Sequence, residues 1–127
     1  MKAKKGTYRY YTNEQKETVN SALQFVVEWS EYPESRIRGI DREESLVDAR
    51  HWWWMLCMRT KMFTIVSLGA IVEKDHGTII HAMRRHQNRL DTMKYYRDAW
   101  SSMCGLYDEQ TEKRRRTDAP KNTNCMV

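Results

Sequence analysis

Asp75, His76 and Thr78 crowd together in the run KDHGTIIHA, residues 74–82, between two short apolar stretches. A carboxylate, an imidazole and a hydroxyl so close in sequence suit acid–base catalysis, metal ligation or hydrogen-bonded recognition. Nucleophilic catalysis needs a third group at a recognisable spacing, and none accompanies the pair. His76, His81 and His86 recur every five residues, so on a helix each lies about 140° round from the last and the three do not converge on one ion. Cys57, Cys104 and Cys125 show no C-x-x-C spacing, and Cys57 reads as a small buried hydrophobe. The expectation is a chain that is not an enzyme, with no metal site and no cofactor. Recognition remains. Polar side chains at the start of the second of two packed helices are what a helix-turn-helix presents to a major groove.

The elements that must position this cluster are legible around it. Thr64 caps a short, nearly uncharged helix from Ile65 to about Val72, Glu73 and Lys74 form the turn, and Asp75 caps a helix to about Leu90. Gly69 inside the first helix costs about 1 kcal/mol relative to Ala, which close helix packing would justify. The inward face of the second helix is expected to hold Ile79, Ile80, Ala82 or Met83, and Leu90. Upstream, Thr12 or Asn13 caps a helix to about Glu31 that buries Val19, Ala22, Leu23, Val26 and Val27, and Pro33 ends it. Asp41, with Glu44 three residues on, is expected to open a helix whose core face is Leu46, Ala49, Trp53, Leu56 and Cys57. Trp52, Trp53 and Trp54 point three ways on that helix, so one of them should lie under the N-terminal helix or at the surface. A last helix from about Thr92 to Met103 carries Met93, Tyr96, Trp100 and Met103, with Gly105 as its stop. The organisation is thus a basic, Tyr-rich arm (1–12), one helical domain (13–105) with the helix-turn-helix at about 64–90, and a flexible tail (106–127).

Composition sets the outer limits. With 127 residues, 40% hydrophobic and 31% charged, the chain suits one all-α domain with a single core. The uncharged run from Met62 to Val72 is well short of the roughly 20 apolar residues that span a bilayer. No cleavable leader is expected, and a reducing cytosol is the default compartment. Residues 1–73 carry eleven basic and ten acidic side chains, and residues 98–127 five of each. Residues 74–97 hold Lys74, Arg84, Arg85, Arg89, Lys94 and Arg97 against Asp75 and Asp91, so the excess charge sits just after the turn. Local positive charge releases counterions from a phosphate backbone, the sequence-independent part of DNA affinity.

Taken together, Arg42, Val47, Ala49 and Arg50, followed by Leu68, Gly69, Val72, Lys74, Asp75, His76, Thr78, Ile79, His81 and Ala82, form a pattern. It resembles the C-terminal DNA-binding domain, domain IV, of the replication initiator DnaA, and most closely its short stand-alone relatives in phages and mobile elements. The resemblance covers about 50 residues, Arg42 to Leu90. It implies a small all-α bundle of the DnaA domain IV or Trp-repressor type, with a helix-turn-helix that binds double-stranded DNA. It further implies that Asp75, His76, Gly77 and Thr78 face base edges, Gly77 standing where the family has Ser or Thr. A carboxylate can accept from cytosine N4, an imidazole can donate to guanine, and a Thr methyl can touch a thymine methyl. Arg50, Lys74, Arg42 and His81 fall on motif positions and, with Arg84 and Arg85 of the basic segment, are the expected phosphate contacts. Lys74 replaces an arginine and so offers no bidentate fork. Trp53 stands where a small residue is usual. No G-x-x-x-x-G-K-[ST] loop is present, so origin melting by this chain is not expected.

The expected function is sequence-selective binding of double-stranded DNA in replication control or transcription regulation. The expected setting is the bacterial cytoplasm or nucleoid, as a monomer, with a host or phage replication protein as a further partner. The competing reading is a protein-interaction module on the same fold that has lost base readout, suggested by Gly77, Lys74 and the tryptophans.

Overall fold

The computed structural model describes residues 11–118, which form six helices and no strand. In chain order these are α1 (Asn13–Ser30), α2 (Glu34–Arg38), α3 (Glu44–Arg59), α4 (Ile65–Val72), α5 (His76–Thr92) and α6 (Lys94–Asp118). The all-α architecture is the one expected. No helix among the described residues is long and apolar enough to cross a membrane. Most of the expected N-terminal arm, residues 1–10, lies outside the described residues, as do residues 119–127 of the expected tail.

α3 is the central element. Leu46, Ala49, Trp53, Leu56 and Cys57 are all buried, so its expected core face is the observed one. α1 crosses it, burying Val19, Ala22, Leu23, Phe25 and Val26. Trp53 lies beneath α1, its indole N–H donating to the Val19 carbonyl at 3.0 Å. Trp54 is equally buried and stacks on His51, with centroids 5.5 Å apart. Trp52 packs against Tyr96 of α6. The three indoles therefore fill three sides of α3, and none is an exposed landmark.

Thr12 caps α1 through a reciprocal box with Gln15. α1 ends before the proline, because Glu31 turns left-handed (φ 66°) and closes the last turn onto the Val27 carbonyl. Pro33 instead opens α2, a five-residue helix that the apolar spacing does not announce and that buries Ile37. The expected cap at Asp41 is corrected. α3 starts at Glu44, after Glu43, which makes no side-chain cap bond. Asp41 accepts from Arg36 Nε and Nη2 at 3.2 and 3.1 Å, so its carboxylate is held in the preceding loop.

The C-terminal boundary is also corrected. α6 does not stop at Gly105 but continues as helix to Asp118, through much of the expected tail. Tyr107 is buried against Phe25, with centroids 5.4 Å apart. Asp108 takes both Nη atoms of Arg59 at 2.9 and 3.0 Å. Those contacts carry the helix past a glycine that is only about 1 kcal/mol less favourable than Ala.

Candidate nucleic-acid interface

The unit formed by α4, the turn and α5 is assembled from local chemistry. Thr64 Oγ1 accepts the Ser67 N–H at 3.0 Å while Ser67 Oγ accepts the Thr64 N–H at 2.9 Å, so both residues cap the start of α4. Leu68 and Val72 are buried and wedge α4 against its neighbours. At its far end Glu73 adopts the left-handed conformation (φ 64°, ψ 44°), and the Lys74 N–H returns to the Gly69 carbonyl at 2.9 Å. This six-to-one closure is a Schellman motif. It brings the Lys74 carbonyl so near Gly69 that a Cβ there would lie 2.6 Å away. The close packing expected of Gly69 is thus a close approach of the turn itself.

Asp75 then caps α5. Its Oδ1 accepts the Thr78 N–H at 2.9 Å and the Thr78 hydroxyl at 2.8 Å. The backbone bond first, and the hydroxyl second, hold the Asp75 carboxyl below its ordinary range. Asp75, His76, Gly77 and Thr78 are all exposed and occupy the cap and first turn of α5. Ile79, Ala82 and His86 face the core at three- and four-residue spacing. His81 and Arg84 lie on the opposite, solvated side, in line with Gly77.

Two expected phosphate contacts are committed elsewhere. Arg50 is 7% exposed, and it donates from Nε to the Ile37 carbonyl at 2.7 Å, from Nη1 to Asp41 at 3.1 Å and from Nη2 to Arg36 at 3.1 Å. It ties the end of α2 and the following loop to α3, which leaves its guanidinium turned inward. Arg85 is half-buried, and its Nη1 lies 2.7 Å from the buried Asp48, which Arg89 also approaches at 3.2 Å. Arg89 further pairs with Glu44, and Lys94 with Asp98. Arg97 donates to the Leu90 carbonyl. Among the described residues, Lys74 and Arg84 are therefore the cations of the 74–97 segment whose side chains have no such partner. Arg42, in the loop before α3, is exposed and likewise unpaired among them.

Charge counting along the chain missed α2 as a neighbour of the turn. Arg38, Trp53, Trp54, Val72, Glu73 and Lys74 line one small cleft of about 120 Å³, so the end of α2 sits beside the turn. The signal available was the run RIRGIDR, residues 36–42. A larger groove, about 650 Å³, lies between α1, the end of α3 and α6 and includes none of the sequence-predicted residues. No group of three or more His, Cys, Asp or Glu among the described residues is placed to hold a metal ion. His51 and His86 are buried, whereas His76 and His81 are exposed.

With this geometry in place, the fold has a known counterpart. It is similar to a crystal structure of a DNA replication initiation factor. The TM-score is 0.68 at 16% identity, over 77% of this chain. The chain spans 30% of the length of that protein. At this identity the likeness establishes the arrangement of helices. No family model and no curated protein sequence matches the chain.

Proposed function

We propose that this protein binds double-stranded DNA sequence-selectively through α4, the turn and α5, without catalysis, in replication control or transcription regulation. The observation that carries this reading is the exposed first turn of α5, Asp75 to Thr78, held on a turn that Gly69 and the Asp75 cap define. The fold it shares with a DNA replication initiation factor supports it. His76 and Thr78 are the base-facing residues of the proposal, with Lys74, Arg84 and Arg42 on phosphates and His81 beside them. Asp75 acts chiefly as the cap that orients them, its Oδ2 being the oxygen left over for a base.

A salt titration on random-sequence duplexes tests the reading. Binding is expected at low salt, with Lys74→Ala or Arg84→Ala weakening all sequences alike and lowering the salt slope by about one. His76→Ala is expected to lose roughly 1–3 kcal/mol of discrimination at one base pair. No binding in low salt would sink it. One observation favours the second reading, a protein-interaction module: Gly77 offers no side chain, and the Thr78 hydroxyl is already bonded to Asp75. Duplex binding that never depends on sequence, in a random-library selection, would favour that module.

A further inference from the structure

The groove between α1, the end of α3 and α6 has a volume of about 650 Å³, within the usual range of ligand sites. α1 gives it one stripe, Glu14, Glu17, Thr18 and Ser21, at the three- and four-residue spacing of a single helix face. Glu14 and Glu17 are exposed, and neither carboxylate has an ion-pair partner among the described residues. Arg59 is the cation that lines the groove among those residues, and Asp108 takes both of its Nη atoms. Met62 and Tyr107 add an apolar part. On a chain whose net charge is +5, the groove thus presents two uncompensated negative charges beside apolar surface. No described residue of α4 or α5 lines it.

We propose that this groove seats the chain's own N-terminal arm, residues 1–10. Charge, position and reach select that occupant. Lys2, Lys4, Lys5 and Arg9 make the arm strongly basic without one acidic residue, whereas residues 119–127 offer only Lys121. The arm joins α1 through Tyr11 and the cap Thr12, so Glu14 and Glu17 lie in the first turns of the helix that follows it. Ten residues extend to roughly 33 Å at most. The stripe from Glu14 to Ser21 is about 10 Å long, so an arm that turns back covers all of it. Tethering gives the arm an effective concentration on the order of mM, which a separate basic peptide must exceed to displace it. Its basic side chains meet the two glutamates, while Tyr8 and Tyr10 cover Met62 and Tyr107. A polyanion that captures the arm competes with the groove for it, so the seat sets how much of the arm's charge is available elsewhere. The inference stands apart from the DNA-binding reading, because α4 and α5 take no part in the groove.

Paramagnetic broadening of backbone amide signals tests it in the full chain. A nitroxide is attached at Ala3→Cys in a chain carrying Cys104→Ala and Cys125→Ser. Cys57 takes no label, because it is fully buried and burial pushes its thiol up. At about 20 mM salt the amides of Ser21 and Thr111 are expected to broaden, and at about 0.5 M that broadening should fall roughly twofold or more as screening releases the arm. Glu14→Gln together with Glu17→Gln should have the same effect at low salt. Glu28→Gln, exposed nearer the other end of α1, should change nothing. Both groove glutamates are exposed and Gln is a good helix former, so the fold is not at risk. Broadening that ignores the two glutamates, or that falls equally on amides of α5, overturns the seat. No broadening at any salt concentration overturns it too. So does broadening that appears only on untagged chains mixed with tagged ones, which assigns the groove to the arm of a second copy.

Discussion

Arg50 shows why a motif position and a role are different things. Its guanidinium satisfies three main-chain carbonyls at a helix end and in a loop, where water has little access. Burial pulls its pKa down, and the nearby Asp41 pulls the other way. Arg50→Lys replaces a fork by a single ammonium that cannot serve three acceptors at once. A loss of about 2 kcal/mol is expected, read as a lower urea midpoint at unchanged slope. Any fall in DNA affinity should track that loss of structure and leave the salt slope alone. Gly77 is the converse case. Its backbone angle is ordinary, and an added Cβ would meet only Asp75 Oδ1 at 3.7 Å, ordinary contact. The fold does not require glycine there. Gly77→Ala is expected to stabilise α5 by up to about 1 kcal/mol. Gly77→Ser adds a hydroxyl to the exposed first turn and is expected to raise discrimination at one base pair by roughly 1–3 kcal/mol, checked by competition with single-base variants of a selected duplex.

At the level of elements, glycines at 69 and 105 make a matched pair. Both lie inside helices, but a Cβ at Gly69 would collide with the rigid main chain of the turn, whereas one at Gly105 would meet nothing within 4 Å. Gly69→Ala is expected to cost about 1–3 kcal/mol and to displace Lys74 and Asp75, weakening any function of the turn. Gly105→Ala should gain about 1 kcal/mol; thermal melts of the two variants should move in opposite directions. The same pair explains what was legible in the sequence. Thr64 and Asp75 cap the helices they were expected to cap, as does Thr12 of the pair Thr12 or Asn13, because a cap is a local bond between residues three apart, whereas Asp41 fails as a cap because Arg36 takes its carboxylate. Gly105 misled because what carries α6 onward is remote: Tyr107 on Phe25, and Asp108 on Arg59. Arg50 and Arg85 misled likewise, since Arg50's partners lie 9, 13 and 14 residues away along the chain and Arg85's partner 37. The solvated cluster at the start of α5 could be read because its geometry is local. Which cations remained unpaired depended on packing.

For the molecule as a whole, the buried histidines make stability depend on pH. His51 is 6% exposed and His86 7%. Burial, followed by the neighbouring positive charges of Arg85 and Arg50, lowers the His51 pKa from 6.5 to about 3. Burial alone lowers that of His86 to about 4. His86 sits between Trp100, 4.5 Å away in an edge-on contact, and Tyr96, whose hydroxyl oxygen lies 2.7 Å from Nδ1. Neither imidazole can take a proton without leaving a charge inside the bundle. In the unfolded chain both titrate near 6.5, so as pH falls the unfolded state binds protons first and stability declines. The stability is fully present above about pH 7 and drains away below 6.5, until the folded-state values near 4 and 3 are reached. Within that window each histidine costs about 1.4 kcal/mol per pH unit. Between pH 7 and 5, above the range in which carboxylates titrate, the loss should approach about 2 kcal/mol per histidine, a large share of a typical stability of roughly 5–15 kcal/mol. Urea unfolding at half-unit intervals measures the slope directly. His86→Phe is expected to halve that slope whatever it does to the midpoint, since one of the two buried histidines that take up a proton on unfolding is gone. A slope unchanged by His86→Phe would mean that the residue is already open to water and protons in the folded state.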